Sequence, residues 1–143
     1  MISAGQAAFL SAQRVGRLAS ADIRGRPHVV PVCFAIDGAN LYVTIDEKPK
    51  QASARPLKRL RNVMANPAVA FVADRYSEDW RELGWVMLRG NAEILTQGHE
   101  HDHAQELLRN RYPQYRTMQL SELPVIALRV ETTTSWGNLS TEH

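Results

Sequence analysis

Hydrophobic and polar residues alternate along most of this chain with a period of two, which is typical of half-buried β-strands. In the second predicted strand, for example, Val30 and Val32 fall on one side, whereas Val29 and Pro31 fall on the other. The alternation, broken by turn residues, predicts six strands, at residues 14–22, 28–36, 41–46, 68–74, 84–95 and 125–131. The fourth run is apolar on both faces, so we expect it to be a central strand.

Two residues mark irregular points within these strands, and one turn between two strands is clearly signalled. Pro31 has no backbone N–H to donate to a ladder, so its strand is expected at an edge or a bulge of the sheet. Gly90 interrupts the longest run and predicts a bulge or a barrel corner there. Asp37 to Asn40, with Gly38, predicts a hairpin turn between the second and third strands.

Three segments have helical spacing instead. Ser3 can cap a first helix that runs through Arg14, and residues 99–111 form a third helix that Pro113 ends. Between them, residues 57–65 predict a short helix that ends before Asn66-Pro67. Its inward stripe is expected to contain Leu57, Leu60, Val63 and Met64, and its outward face Lys58, Arg61 and Asn62, with Arg59 on the flank.

Six strands with only three short helices favour a mainly β protein, a β-barrel, over a parallel doubly wound sheet. The chain has 143 residues, 44% of them hydrophobic and 22% charged, which suits a single domain spanning 1–143. It contains no run of 18 apolar residues and no signal-peptide pattern, and its one cysteine excludes an internal disulfide. We therefore expect a soluble cytoplasmic protein without a membrane partner.

The charge changes this picture at one place, the stretch from Lys48 to Pro67. It contains six of the 17 basic residues and no acidic residue: Lys48, Lys50, Arg55, Lys58, Arg59 and Arg61. Like charges this close require solvent or a bound anion, and a helix that begins with cations suits a phosphate. A solvated basic helix is the alternative. Because the net charge is only +2, a small anion is favoured over a nucleic acid.

Other candidate chemistry is weak. The histidines of residues 99–103 begin a helix and point in different directions, which argues against a metal site. Cys33 lies among apolar residues and has no CxxC partner, and no Rossmann, P-loop or nucleophile-elbow motif occurs. Trp80, Trp85 and Trp136 lie near strand ends or in loops, where they would serve as core, as a subunit interface or as a ligand wall.

The order of these parts resembles the pyridoxamine 5′-phosphate oxidase-like family of flavin and deazaflavin split barrels. The resemblance extends from about Val15 to Trp136 and rests on five segments: GRLASAD, RGRPHVVPVCFAID, LYVTIDEKPK, RNVMANPAVAFVAD and WVMLRGNAEIL. It implies an FMN-binding split barrel, an antiparallel, Greek-key-like barrel of six strands. The branch that it is most similar to is that of probable oxidoreductases dependent on coenzyme F420, a deazaflavin.

The resemblance also implies a cofactor site between the subunits of a homodimer. The ring system would lie along the strand from His28 to Val32, and the phosphate-bearing tail would contact the strand end and the basic segment. The implied cofactor-binding residues are His28, Pro31, Thr44, Ile45, Lys48, Lys50, Lys58, Arg59, Arg61, Asn62 and, at the subunit interface, Trp85. The loop between Lys50 and Lys58 is longer than in many relatives, and the Arg-x-His pattern of true pyridoxamine phosphate oxidases is missing.

We therefore expect an oxidoreductase that transfers a hydride between coenzyme F420, or alternatively FMN, and a small organic substrate. In such a site the cofactor carries the redox chemistry, so no catalytic side chain is assigned. A flavin-binding module without turnover is a second hypothesis. A barrel that binds nucleic acid is a third, but the strands lack surface aromatic residues alternating with basic ones, so no nucleic-acid partner is expected.

Overall fold

The fold is built on one seven-stranded antiparallel sheet, seen in a computed structural model that describes residues 1–45 and 58–141. The strands are β1 (Gly16–Ala21), β2 (Pro27–Val32), β3 (Ala35–Asp37), β4 (Asn40–Thr44), β5 (Ala68–Arg75), β6 (Gly84–Leu95) and β7 (Val125–Gly137). The helices are α1 (Ala4–Ala12), α2 (Lys58–Ala65) and α3 (His99–Arg111). Short 3₁₀ turns lie at Trp80–Glu82, Pro113–Thr117 and Leu120–Glu122.

The sheet curls because its two terminal strands are neighbours in the sequence. The strand order is β2-β1-β5-β6-β7-β4-β3, which places β2 and β3 at opposite ends. Only Cys33 and Phe34 separate these strands, and three Cα–Cα steps span at most about 11 Å. The two ends of the sheet therefore meet along a seam, and the predicted mainly β split barrel is confirmed.

The number of strands differs from the prediction, because residues 28–36 form two strands and not one. β2 pairs with β1, and β3 pairs with β4. Between them, the backbone of Phe34 leaves the ladder and bonds to the Tyr112 side chain. The Tyr112 hydroxyl accepts from the Phe34 N–H at 3.0 Å and also lies 3.0 Å from the Phe34 carbonyl oxygen. The apolar alternation continues through this break, so the sequence pattern did not reveal it.

The two irregular strand positions are confirmed. Pro31 lies in β2, at the edge of the sheet, where its missing N–H costs no ladder bond. The pairing of β6 with β7 shifts register between Arg89 and Gly90, which is the predicted bulge. A Cβ atom on Gly90 would overlap the carbonyl oxygen of Arg129, so the close approach of β7 requires glycine.

The last strand is longer than predicted. The sequence predicts an end at Glu131, because the following run of threonines has no apolar alternation. In the structure β7 continues to Gly137, since β6 is long enough to pair with it along its whole length. This extension places Trp136 directly opposite Trp85 on the neighbouring strand.

Buried side chains pack on both faces of the curled sheet. One group, which includes Phe9, Phe34 and Phe71, fills the interior of the curl. The other lies under α3 and includes Tyr42 and Leu108. β4 is therefore buried on both faces: Leu41 and Val43 face the interior of the curl, and helix α3 covers the opposite face, where Tyr42 lies.

Helix α2 is rotated relative to the prediction. Leu60 and Val63 face the core as expected, but Met64 is 68% exposed. Asn62, expected on the outward face, is only 1% exposed, and its Nδ2 donates to the hydroxyl of Ser20 on β1 at 3.1 Å. The outward placement of Asn62 is therefore wrong, because a polar residue with a buried partner can replace an apolar one at the inward position.

The other two helices agree closely with the sequence analysis. Ser3 caps α1 in a capping box with Gln6, although the helix ends at Ala12 and not at Arg14. Helix α3 has the predicted bounds and ends before Pro113. Across residues 1–45 and 58–141, no helix has the length and apolar character needed to span a membrane.

Candidate functional site

A cleft lies where the ends of β2 and β4 face the start of α2. Its volume is about 350 Å³, toward the lower end of the range of about 300–1,000 Å³ that is usual for small-molecule sites. Its walls include Val30, Pro31, Val43, Thr44, Arg59 and Tyr115. The structure thus brings together three of the residues implied by the resemblance, namely Pro31, Thr44 and Arg59.

Arg59 is the charged residue in the described wall of this cleft. It lies in the first turn of α2, and its side chain is half-buried. Its Nε is buried and has no hydrogen-bond partner among the residues that the structure describes. An unpaired buried donor on a charged group is costly, and an anion in the cleft would satisfy it with a charge-assisted hydrogen bond.

Thr44 is the second polar group of the cleft, at the end of β4. Its side chain is buried, and its Oγ1 accepts a hydrogen bond from Nε2 of Gln105 on α3 at 2.9 Å. The following residue, Ile45, packs in the interior, and its N–H donates to the carbonyl oxygen of Pro124 at 3.1 Å. Thr44 is therefore part of the cleft wall, whereas the Ile45 side chain and N–H are both occupied elsewhere.

The predicted ring-binding strand β2 contributes one face of the cleft. Val30 and Pro31 line it, but His28 does not. His28 lies on the same side of β2 as Val30, one strand repeat away, which is about 7 Å. Its Nδ1 is buried without a partner among the described residues. His28 is therefore near the cleft but outside its wall, and its assignment to the cofactor stays a prediction.

The other predicted residues of α2 lie outside the cleft wall. Lys58 is partly exposed, with its Nζ 4.0 Å from a carboxylate oxygen of Asp22 in the β1–β2 turn. Arg61 is exposed, and Asn62 is buried against Ser20. Their roles toward a cofactor stay predictions, as do those of Lys48 and Lys50, which lie outside the described residues.

Trp85 lies on the side of the sheet away from the core, which we call the outer face. Along β6, the next residue, Val86, is buried on the core side, and the one after it, Met87, shares the outer face with Trp85. The outer-face residues that the strand pairing places on this one surface are Arg17, Val29, Pro31, Val72, Asp74, Trp85, Met87 and Trp136. In the single chain, Trp85 lines a separate, open concavity of about 430 Å³ together with Val72, Asp74 and Met87.

Two residues of the site were not found by the sequence analysis. Tyr115 lines the cleft from the 3₁₀ turn after α3, and Gln105 reaches Thr44 from within α3. Residues 113–124 have no clear periodicity, so nothing in the sequence orients Tyr115. Gln105 lies on the inward side of α3, among apolar residues. A polar amide at such an inward helical position needs a buried partner, and this is the signal that could have identified it.

The histidines at the start of α3 have separate structural roles. Nε2 of the buried His101 donates to the carbonyl oxygen of Leu123 at 2.7 Å. Nε2 of His103 lies 2.7 Å from a carboxylate oxygen of Asp37. Within residues 1–45 and 58–141, no group of three or more His, Cys, Asp or Glu side chains is arranged to hold a metal ion.

The protein is a split barrel, as its curled sheet and the cleft beside the seam show. A comparison with known families identifies the family of split barrels to which it belongs. The chain belongs to the pyridoxamine 5′-phosphate oxidase family, whose model matches residues 2–137. The recognition made from the ordered sequence segments is confirmed.

The similar proteins include an enzyme and a flavin-binding protein. A 5a,11a-dehydrotetracycline/5a,11a-dehydrooxytetracycline reductase from Streptomyces rimosus is 36% identical over 91 residues, which cover 63% of this chain and 61% of the reductase. The match thus spans less than two thirds of that relative. A FAD-binding protein from Mesorhizobium loti has a TM-score of 0.68 at 29% identity, with 93% of both chains covered.

A heme-binding protein from Mycobacterium smegmatis has a similar fold. Its TM-score is 0.74 at 21% identity, and the superposition covers 94% of this chain and 54% of that protein. This likeness shows that the same barrel serves different prosthetic groups, so the fold alone does not define the ligand.

Proposed function

We propose that this protein is an oxidoreductase that transfers a hydride between a flavin-type coenzyme and a small organic substrate. The coenzyme is the deazaflavin F420 or, alternatively, FMN. The observation that carries the proposal is the buried Nε of Arg59 in the cleft wall, which has no hydrogen-bond partner within residues 1–45 and 58–141. The Streptomyces relative, a reductase, supports the reaction class, and the FAD-binding relative supports a flavin-type ligand.

The residues of the cleft fit a phosphate-bearing coenzyme. Arg59 offers a cationic donor that no described residue satisfies, and Thr44 lies in the same wall. Phosphate oxygens accept several hydrogen bonds and carry the opposite charge, so they satisfy both groups at once. Lys48 and Lys50 follow β4 closely in the sequence, and we propose that they add to the same positive field.

The chain's own residues bind and orient the coenzyme. When bound, a flavin or deazaflavin supplies the hydride chemistry itself. Arg59 and Thr44 hold the phosphate end, while Val30 and Val43 provide apolar surface that excludes water. Pro31 presents a flat face without an N–H group at the edge of the sheet, which leaves room for a ring to lie against β2.

Titration of the apo protein with FMN and with F420, side by side and followed by fluorescence, tests the proposal. A charge-assisted hydrogen bond is worth about 1.5–3 kcal/mol, so Arg59→Ala should weaken binding about tenfold or more. Arg24→Ala is the matched control, because Arg24 is exposed in the β1–β2 turn and does not line the cleft. Unchanged affinity in Arg59→Ala would remove the assignment.

The same variants separate a phosphate site centred on Arg59 from a diffuse basic surface. If Arg59 alone reaches the cleft from α2, its loss should weaken binding more than Lys58→Ala or Arg61→Ala does. Equal losses for the three variants would instead indicate a surface that attracts the coenzyme by its field and is strongly weakened by salt.

A turnover assay distinguishes the enzyme from a binding module. The loaded protein should oxidise its reduced coenzyme when a suitable acceptor is added, and 5a,11a-dehydrotetracycline is the first acceptor to try because a relative reduces it. Tight, Arg59-dependent binding without oxidation by any acceptor in a broad panel would favour the binding module.

We also propose that the protein is a homodimer formed through the outer face. Val29 is 63% exposed and Trp136 is 54% exposed on this face, with Met87 and Trp85 between them. Large apolar side chains that share one exposed surface usually mark an interface. Since Pro31 belongs both to the outer face and to the cleft, a partner subunit on this face would also border the coenzyme site.

A further inference from the structure

Gln105 is a buried polar residue in α3, and one of its three contacts is with a residue of the cleft wall. It is 1% exposed. Its Nε2 lies 2.8 Å from the carbonyl oxygen of Leu120, 3.1 Å from that of Leu123 and 2.9 Å from Oγ1 of Thr44. Leu120 and Leu123 belong to the segment that follows Tyr115, while Thr44 is in the cleft wall. Gln105 therefore ties the end of β4 to the segment after α3.

These contacts determine which way the amide points. Both carbonyl oxygens can only accept hydrogen bonds, so the side of the amide that faces them must be the NH₂ group and not the oxygen. The atom next to Thr44 is consequently the donor Nε2, whose two hydrogens are shared among three acceptor oxygens, while Oε1 has no partner among the described residues. An amide nitrogen has no lone pair for accepting, so it can meet Thr44 only at an oxygen lone pair.

This arrangement directs the hydroxyl hydrogen of Thr44. Because the hydrogen cannot point at Nε2, it is left to donate in another direction, and within residues 1–45 and 58–141 the hydroxyl's one hydrogen bond is the one it accepts from Gln105. Thr44 lines the cleft, where the Nε of Arg59 also has no acceptor among the described residues. The Thr44 hydroxyl and the Arg59 Nε are thus two donors of the wall without an acceptor among the described residues, whereas Tyr115 in the same wall already has an interaction.

We infer that Gln105 is a positioning residue that makes Thr44 a dedicated hydrogen-bond donor and thereby gives the cleft its selectivity for the phosphate group of the coenzyme. The inference rests on the proposed function and deepens it. A freely rotating hydroxyl has three staggered positions, and occupying its lone pair from one side restricts that choice before the ligand arrives. The preference is for a group that accepts and never donates, which describes an ionised phosphate.

A purely structural role for Gln105 predicts different behaviour. The Leu123 carbonyl oxygen also accepts from Nε2 of His101, so His101 helps to hold the same segment. His101→Leu would loosen that segment without removing the contact between Gln105 and Thr44. If Gln105 acted only by ordering the segment, His101→Leu and Gln105→Met would have similar effects on binding.

The test measures phosphate selectivity, defined as the dissociation constant of riboflavin divided by that of FMN. If the protein prefers the deazaflavin, F420 and its phosphate-free chromophore replace this pair. We expect Thr44→Val to lower the ratio about tenfold or more, because a hydrogen bond to a charged group is lost, while Thr44→Ser retains it. Gln105→Met should lower the ratio about threefold, the value of restricting one three-fold rotor.

A double-mutant cycle shows whether Gln105 acts through Thr44. In the Thr44→Val background, Gln105→Met should leave the ratio unchanged, because no hydroxyl remains to be oriented. His101→Leu should leave it unchanged in either background. Thermal unfolding checks each variant, and the Thr44→Val and Thr44→Ser pair still decides the donor role if Gln105→Met does not fold.

Each contrary outcome has a separate meaning. A parent protein that binds neither FMN nor F420 overturns the proposed function and this inference with it. A parent that binds but shows the same ratio in Thr44→Val overturns the donor role of Thr44. A ratio that falls equally for Gln105→Met in both Thr44 backgrounds overturns the positioning role of Gln105 and leaves the proposed function intact.

Discussion

Glu100, in the first turn of α3, has an unusually favourable environment for its charge. Its carboxylate accepts from the Tyr42 hydroxyl at 2.7 Å and from both terminal nitrogens of Arg129, which also binds Glu93 at 3.0 Å. The hydrogen bonds from Arg129 and then Tyr42 lower the pKa of Glu100 from about 4.5 to about 2. Burial, together with the hydrogen bond to Glu100, raises the pKa of Tyr42 to about 12. This cluster holds α3 against β4 and β7.

The lowered pKa of Glu100 predicts a loss of stability in acid. Between about pH 2 and 4.5 the unfolded chain binds this proton and the folded chain does not, so the free energy of unfolding falls as the pH falls through this window. Urea unfolding of the parent and of Glu100→Gln at pH 6 and pH 3 should show a smaller acid loss in the variant. Glu106→Gln, exposed on the same helix, is the control and should behave like the parent. Identical acid losses in all three proteins would contradict the role of Glu100.

Single residues also show how far the site could be predicted from the sequence. Arg59 was singled out because charge clustering is visible in a linear pattern, whereas Thr44 was assigned only through the resemblance to the family. Gln105 was missed because its partners are 61 and 15–18 residues away, a distance at which sequence patterns carry no information. Asn62 was placed on the wrong face because its burial depends on Ser20, which lies on another element.

Among the elements, the β6–β7 pair depends most sharply on one residue. Gly90→Ala should lower the free energy of unfolding by about 1–3 kcal/mol or more, because its Cβ would meet the backbone of β7 and not a flexible side chain. Gly5→Ala in α1 is the matched control, since nothing lies within 4 Å of its Cβ position. In a helix that change should be neutral or stabilise by up to about 1 kcal/mol. Comparable urea midpoints for Gly90→Ala and the parent would disprove the close approach.

Elements with strong local signals were predicted well. Helix α3 has the expected bounds because its apolar residues repeat at helical spacing and Pro113 ends it. The division of residues 28–36 into β2 and β3 was not predictable, because the cause is the hydroxyl of Tyr112, which is 78 residues from Phe34. The end of β7 was likewise set by the length of its partner β6 and not by its own threonines.

For the whole molecule, the outer face predicts the state of assembly. The parent should sediment as a dimer at low micromolar concentration, and Trp136→Glu should shift it to a monomer, because a charge placed in an apolar interface loses its solvation. Trp80→Glu is the control: Trp80 is 72% exposed, but it lies in a 3₁₀ turn and not on the sheet. A monomeric parent that still binds the coenzyme tightly would rule out a site that needs both subunits.

The seam between β2 and β3 implies that a bound ligand would stabilise the closed form of the barrel. These strands are the free ends of the sheet, so no ladder of backbone hydrogen bonds joins them, and the cleft lies beside that gap. A molecule bound between Val30 on β2 and Val43 on β4 would connect the two sides of the gap in the sheet. At a concentration one hundred times its dissociation constant, it would stabilise the folded chain by about 2.7 kcal/mol. Amide hydrogen exchange should therefore slow most in β2, because this terminal strand is expected to separate from the sheet first when no ligand is bound.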